Sequence, residues 1–378
     1  MTFTLIAERV FDGHEFHQHL PVSIEDGHII SLDTVAGAKE IRVAGTLVPG
    51  FIDVQVNGGG GALFNATPSV ACIETIGRAH AQFGTTGFLP TLITDDVSVM
   101  AKAADAVAKA VANHSKGVLG VHFEGPHLSV PKKGVHPQGF IREISEAEIE
   151  IFCRQDLGLR VVTLAPENVS SAVIRKLVDA GVKVCLGHSN ADYQTVVAAL
   201  EAGATGFTHL FNAMSALGSR EPGMVGAAIE DPYSWCGLIV DGHHVHPASA
   251  KVALRAKPRG KMMLVTDAMP PVGMDDETSF ELFGTQVQRV GDRLNAVTGE
   301  LAGCVLDMAS AVDNTVSMLG LGLDEALRMA SLYPAQFLGI DKQYGTIASG
   351  YRADLLLLNG KNQVLANYIA GQQVYHRG

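Results

Sequence analysis

The sequence predicts an α/β fold: a (β/α)8 TIM-like barrel with a small β-sandwich domain formed from both chain termini. Three observations carry this expectation. Through the middle of the chain, eight short apolar segments alternate with stretches of helical pattern. Both ends instead alternate apolar and polar residues, the period of a half-buried strand. Glycine numbers 41 in 378 residues, well above the usual ~7%, and supplies the turns that repeated strand-to-helix junctions need.

The elements follow in order. TFTLIAERVF, PVSIEDGHIISL and KEIRVAGTLV read as strands, with turns at Asp12-Gly13 and Asp26-Gly27. YRADLLLLNG and QVLANYIAGQQVYH repeat that texture at the other end. Residues 1–47 and 344–378 are therefore expected to build one small β domain, and 48–343 the catalytic barrel. The eight expected barrel strands are 50–56, 87–93, 118–124, 161–164, 183–188, 206–209, 236–241 and 262–267. One intervening helix opens on Ser145-Glu146-Ala147-Glu148, a capping box in which Ser and Glu satisfy each other's free N–H groups. Another, 170–180, ends at Gly181, suited to a left-handed cap. Helical pattern then runs from about 305 to 338. No strand or helix is assigned to 268–304, and no short repeat is evident.

Composition narrows the function. Lys+Arg 28 against Asp+Glu 39 gives a net charge of −11. Such a field repels polyanions and argues against nucleic-acid binding. On charge alone the chain is also a poor host for an anionic ligand. Charged residues are 18%, below the usual ~25%, which leaves room for a surface covered by a partner subunit. Apolar runs such as 355–358 fall far short of the ~18 residues of a membrane span, and the opening MTFTLIAERVFDG lacks a signal-peptide pattern. Five cysteines, odd in number and without a CxxC, read as reduced thiols of a cytoplasmic protein.

Fifteen histidines against one tryptophan direct attention to metal chemistry. Polar residues fall where the apolar strands end: Gln55 and Asn57 after the first, Glu124 (VHFEGPH) at the third, His188 (VCLGHSN) at the fifth. His209 (FTHLFNAM) closes the sixth, Asp241 and His244 (IVDGHHVH) follow the seventh, and Asp267 (MLVTDAM) closes the eighth. In a barrel all these ends reach one mouth, where active sites lie. One carboxylate and two imidazoles there make a three-ligand site for Zn²⁺ or a similar ion, with a position left for water. Asp267 is placed to take and return a proton.

The blander readings stand beside this one. A single histidine at a strand end is more often structural than a ligand, and only the convergence of Glu124, His188 and His209 argues otherwise. His14, His17 and His19 read as a solvated loop. His122 and His127 can simply pack, and at most two of His243, His244 and His246 should face the mouth. Gly58–Gly61 is as much a turn as a phosphate cradle, since it lacks the Lys-Ser/Thr of a P-loop. Lys132-Lys133 reads as an exposed loop. His136, between Pro131, Gly134 and Pro137, is the better active-site arm. Arg220 in GSREPG is either solvated or a phosphate clamp.

These motifs resemble the amidohydrolase superfamily, and within it the N-acetylglucosamine-6-phosphate deacetylase family. Matching blocks occur in order over essentially the whole chain. They are LVPGFIDVQVNGGGG (47–61), HFEGPHL (122–128), KKGVHPQGF (132–140), TLAPEN (163–168) and GHSNADY (187–193), then THLFNAM (208–214), REPG (220–223), DGHHVH (241–246), VTDAM (265–269) and YGTIASGYRADLLLL (344–358). The resemblance implies metal ligation by Glu124, His188 and His209, and acid/base catalysis by Asp267. It implies that His136 contacts substrate and polarises the acetyl carbonyl, and that Asn212, Ala213, His244, Leu301, Ala302 and Gly303 line the sugar-phosphate site. Arg220 is implied to bind phosphate in a neighbouring subunit's site, which requires a homodimer or larger assembly.

Many amidohydrolases carry His-x-His on the first strand and a carboxylated Lys on the fourth. Here Gln55 and Asn57 stand at the first position, a vestige of a second-metal site, and VVTLAPEN has no Lys. One Zn or Fe ion per subunit is the expectation. The implied reaction is hydrolysis of N-acetylglucosamine 6-phosphate to glucosamine 6-phosphate and acetate in amino-sugar catabolism. The alternatives are the N-acetylgalactosamine epimer or both epimers. A dihydroorotase- or hydantoinase-like activity and a non-catalytic binding protein stand further off.

Overall fold

Eight parallel strands follow one another around a barrel in a computed structural model that describes residues 2–275, 279–296 and 301–377. They are β1 (Phe51–Val56), β2 (Thr85–Ile93), β3 (Gly120–Glu124), β4 (Leu159–Leu164), β5 (Lys183–Leu186), β6 (Gly206–Phe207), β7 (Trp235–Leu238) and β8 (Met262–Leu264). Each pairs with its neighbour in chain order. The strands are buried on both faces, with Phe88, Val121, Phe123, Val162, Val184 and Leu264 at 2% exposure or less. That is why they read as apolar runs without alternation. Helices cover the outside. Val97–Ala112 turns Met100, Ala103, Ala104, Val107 and Ala110 inward at helical spacing. The expected capping box is present, with Glu148 Oε2 accepting from Ser145 N at 2.8 Å and Ser145 Oγ at 2.7 Å. Helix Ser171–Asp179 is followed by Gly181 at φ +83°.

Several strands stop earlier than their apolar runs suggest. His188, His209 and Asp267 lie beyond the last residues of β5, β6 and β8, with φ of +46°, +36° and +53°. A strand cannot continue through such left-handed residues. The chain turns there, and the site side chains stand on turns at the barrel mouth.

The seam between β8 and β1 closes beyond the ladder. Asp267 N–H donates to Gln55 O at 3.0 Å, and Asn57 and Gly58 N–H both donate to Ala268 O at 2.9 Å. Deeper in the seam, Asp53 on β1 accepts the Thr266 hydroxyl on Oδ2 and Gln55 N–H on Oδ1.

Strands from the two chain ends form a second sheet. Phe3–Phe11 runs parallel to Lys39–Pro49, which pairs antiparallel with Leu355–Leu358. Pro21–Glu25, His28–Ser31, Val364–Ile369 and Gln372–His376 extend it on both sides. Its own core holds Leu5, Val10, Val22, Ile24, Ile29 and Leu355. Met1 and Gly378, the outer limits of the expected β domain, lie outside the described residues. His17 does not belong to a loop as expected: it lies in the short strand Phe16–Gln18, and its Nε2 is 2.8 Å from Asp12.

The segment left unassigned holds a third sheet, antiparallel, of Ser279–Leu282, Thr285–Val290, Arg293–Ala296 and Leu301–Cys304. It packs Leu282, Val287, Leu294 and Ala302 with Leu63, Ile93 and Met269 beside the barrel mouth. Among the described residues no helix is long and apolar enough to cross a membrane.

Asp53 generates a test of the seam. Burial foremost pushes its carboxyl up to about 7, against the opposing hydrogen bonds from Thr266 and Gln55. The folded chain then binds this proton more tightly than the unfolded chain. The resulting stability is complete below the ordinary value of 3.8 and is lost as pH rises through about 7. Asp53→Asn keeps the shape without the ionisation. Urea midpoints measured from about pH 4 to pH 8 should fall with pH less in Asp53→Asn than in the parent. Parallel curves would contradict the assignment.

Candidate metal centre and active site

Three side chains from three strand ends meet at one point. His188 Nε2 lies 3.0 Å from His209 Nε2, and Glu124 Oε1 lies 3.2 and 2.9 Å from these two nitrogens. All three residues are buried, at 6% exposure or less. His188 reaches this point with its tautomer set, because Nδ1 is 2.8 Å from the Lys132 carbonyl and must donate to it. Nε2 therefore presents its lone pair, the usual outer support of a ligating imidazole. His209 Nδ1 is buried without a hydrogen-bond partner among the described residues, so that ring's polar contacts are all on Nε2. Two ring nitrogens and a carboxylate oxygen packed this closely fit a shared divalent cation.

Asp267 stands beside the three. Its Oδ1 accepts from Gln55 Nε2 at 3.0 Å and Asn57 Nδ2 at 2.7 Å. The same Gln55 nitrogen lies 3.2 Å from each Glu124 oxygen. The two amides read from sequence as a second-metal vestige thus serve as donors to the site's two carboxylates. Burial first, and the Glu124 charge second, push Asp267 up to about 6. Burial would also raise Glu124, but His188 and His209 outweigh it and hold that carboxyl well below the usual range.

His136 is a neutral ring with a readable tautomer. Thr94 N–H, which can only donate, points at Nδ1 from 3.3 Å, and the Thr94 hydroxyl lies 2.8 Å from the same atom. Nδ1 is therefore the acceptor and Nε2 carries the hydrogen. Burial, then the neighbouring His188, hold the ring well below its usual basicity. Nothing in the sequence singled out Thr94.

Glu124, His136, His188, His209 and Asp267 line one cavity of about 190 Å³, together with Asn57, Asn212, Ala213, His244, Leu301 and Gly303. Ile93, Gly134, Val135 and Met269, which carry no chemical signal in sequence, complete the wall. Ala302 is fully buried and lines an adjoining chamber instead. Arg220 is exposed and is not part of this wall.

The structure separates the remaining histidines. His122 is a core residue: Nδ1 donates to Val54 O at 3.0 Å and Nε2 lies 2.7 Å from the Thr163 hydroxyl. His127 is buried, with Nδ1 on Arg142 O. His80 Nε2 donates to Gly58 O at 2.9 Å. Gly58–Gly61 forms a hairpin with 62–63, in which the Gly58, Gly60 and Gly61 N–H groups donate to Ala268, Val272 and Pro270 carbonyls. With those donors engaged, the phosphate-cradle alternative fails. Lys132-Lys133 does not form the expected exposed loop: Lys132 ends the short 3-10 turn Val130–Lys132, both lysines are half-buried, and their service to the site is the Lys132 carbonyl.

A parallel barrel with two imidazoles and two carboxylates converging at its C-terminal mouth is an arrangement shared by metal-dependent hydrolases. Residues 46–374 match the model of the amidohydrolase family, and the chain belongs to that family. It is 50% identical over 382 residues to an N-acetylgalactosamine-6-phosphate deacetylase of Shewanella sp. (strain ANA-3), covering 99% of this chain and 96% of the relative. It is 40% identical over 344 residues to an N-acetylglucosamine-6-phosphate deacetylase of Bos taurus, covering 87% and 83%. The crystal structure of N-acetylglucosamine-6-phosphate deacetylase from Pasteurella multocida superposes with a TM-score of 0.94 at 33% identity, covering 99% of each chain.

Glu124→Gln removes the ligand charge and keeps the side-chain shape. Metal content after dialysis should fall from about one equivalent per chain to below a tenth of that, given the ~10–100-fold cost of losing even an outer support. Unchanged content would remove Glu124 from the ligand set.

Proposed function

We propose that this protein hydrolyses the acetamide of an N-acetylhexosamine 6-phosphate, releasing acetate and the free amino sugar phosphate. The observation that carries this reading is the shared wall of Asp267 and the three converging ligand atoms in one cavity. N-acetylglucosamine 6-phosphate is the substrate expected from the motifs. The relative at 50% identity favours giving the galactosamine epimer equal standing.

Glu124, His188 and His209 would hold one divalent cation, Zn or Fe, which when bound supplies the Lewis acidity that makes water nucleophilic near neutral pH. Asp267 accepts a proton from the attacking water as the new C–O bond forms at the acetamide carbon. It then delivers that proton to nitrogen as the C–N bond breaks, giving amine and acetate. Gln55 and Asn57 hold Oδ1, so the proton travels on Oδ2. His136 donates from Nε2–H to the carbonyl oxygen as it gains negative charge, a neutral donor fixed in advance by Thr94.

Asn212, Ala213, His244, Leu301 and Gly303 are assigned to the sugar-phosphate end. Arg220 is assigned to the phosphate of a neighbouring subunit in a homodimer or larger assembly. Its exposure and its position outside its own chain's cavity support that assignment. Five unpaired thiols suit a reducing, cytoplasmic setting.

Acetate release should be measured on both 6-phosphate epimers after reconstitution with each metal. Turnover of neither would overturn the reading. Asp267→Asn should keep its metal and lose about 10²–10⁴-fold in kcat; near-normal turnover would remove its proton-transfer role. Arg220→Ala should raise KM for the phosphorylated sugar by about 10-fold or more, the scale of one charge-assisted contact. An equal effect on unphosphorylated N-acetylglucosamine would count against a phosphate contact.

A further inference from the structure

Behind His244, three side chains of different chemistry meet. Asp241 Oδ2 lies 2.6 Å from His244 Nδ1 and accepts the Cys304 thiol at 3.4 Å. Asp241 Oδ1 accepts the N–H groups of His243 and His244 at 2.8 and 2.9 Å. Asp, His and Cys with ligand atoms within 4.8 Å of one another also resemble a site for a soft cation. Their polar atoms bond to one another directly: one Asp241 oxygen takes the ring and the thiol, and the other takes two backbone amides.

The cluster acts instead as a clamp on one ring. Asp241 is 7% exposed, and donors on both its oxygens leave it one orientation. Burial would raise its pKa, but the His244 ring and the two backbone N–H groups outweigh burial and hold the carboxyl ionised. With Nδ1–H committed to Asp241, Nε2 is the remaining polar atom of a ring that lines the cavity. A ring held between the Asp241 carboxylate and an anionic oxygen in the cavity is hydrogen-bonded on both nitrogens. Cys304 links this clamp to the reaction centre: its N–H donates to Asp267 O at 3.3 Å, and its carbonyl accepts Met269 N–H at 2.9 Å.

We propose that Asp241 is a positioning residue that aims His244 Nε2 at the phosphate-bearing end of the substrate, and that the Cys304 thiol holds Asp241 in the orientation this requires. The proposal deepens the deacetylase reading and rests on it for its kinetic arm only.

Kinetics should be compared for the parent, Asp241→Asn, His244→Ala and the double variant on the preferred 6-phosphate substrate. Asp241→Asn should raise KM about 10–100-fold, the scale of a lost charged hydrogen bond, with kcat within about 3-fold. The double variant should be no worse than His244→Ala alone. Cys304→Ser should behave as the parent, whereas Cys304→Ala should raise KM about 3-fold or more. Additive effects in the double variant, or a loss confined to kcat, would overturn the proposal. A second arm reads ¹⁵N signals of the His244 ring, free and with glucosamine 6-phosphate as probe. Nδ1–H in the parent and a changed tautomer in Asp241→Asn are expected, and identical spectra would overturn the proposal even if neither epimer is a substrate. If Asp241→Asn does not fold, Cys304→Ala decides through KM and the same ring signals.

Discussion

Two buried carboxylates within reach of a single amide nitrogen set the terms for the rest of this molecule. Glu124 ends β3 and Asp267 follows β8, with β1 and β2 between them, and Gln55 Nε2 lies about 3 Å from both. Like charges brought this close in a buried site do not coexist without compensation. The chain compensates with the Gln55 and Asn57 amides, with two imidazoles on Glu124, and with a ligand set suited to a divalent cation. The same residues also close the barrel, because Gln55 and Asn57 sit where β1 meets the turn after β8. The site and the closure of the barrel therefore depend on the same two residues.

What could be read in the sequence and what could not divides along physical lines. Barrel strands buried on both faces leave apolar runs that contrast with their flanks, so β1 to β8 were legible. Glu124, His188, His209 and Asp267 were legible because a closed barrel carries all strand ends to one mouth, whatever the sequence separation. The antiparallel sheet of 279–304 was not legible. Strands such as Thr285–Val290 bury a single residue, Val287, on a thin layer, and such strands leave little hydrophobic pattern. Gln55 and Asn57 were found, but their purpose was not. An amide that once faced a metal and an amide that disperses negative charge look the same in sequence. Thr94 and the Lys132 carbonyl were invisible, since each acts by fixing a histidine tautomer that only coordinates reveal.

Histidine count proved a weak guide and histidine placement a strong one. His80, His122 and His127 are buried in the fabric of the barrel, each held by a hydrogen bond to a backbone carbonyl. His122 lies two residues from a ligand on the same strand, yet it points to Val54 and Thr163. The acidic surface proved similarly uninformative about the cavity. On the proposed reading, a bound cation and Arg220 from a neighbouring subunit would give the substrate a local positive field that the net charge of −11 conceals.

The left-handed backbone at His188, His209 and Asp267 limits how such a site can change over time. Histidine, aspartate and asparagine accept that conformation far more readily than most residues. Exchanges that look mild to a chemist, His to Cys or Asp to Glu, would meet resistance from the main chain before coordination was tested. Glu124 is different, since it lies within β3 in extended backbone and carries no such restriction. If descendants of this barrel retune their metal preference or regain a second ion, the route of least resistance runs through the carboxylate of β3 and the amides opposite it, while the two imidazoles stay where the backbone has put them.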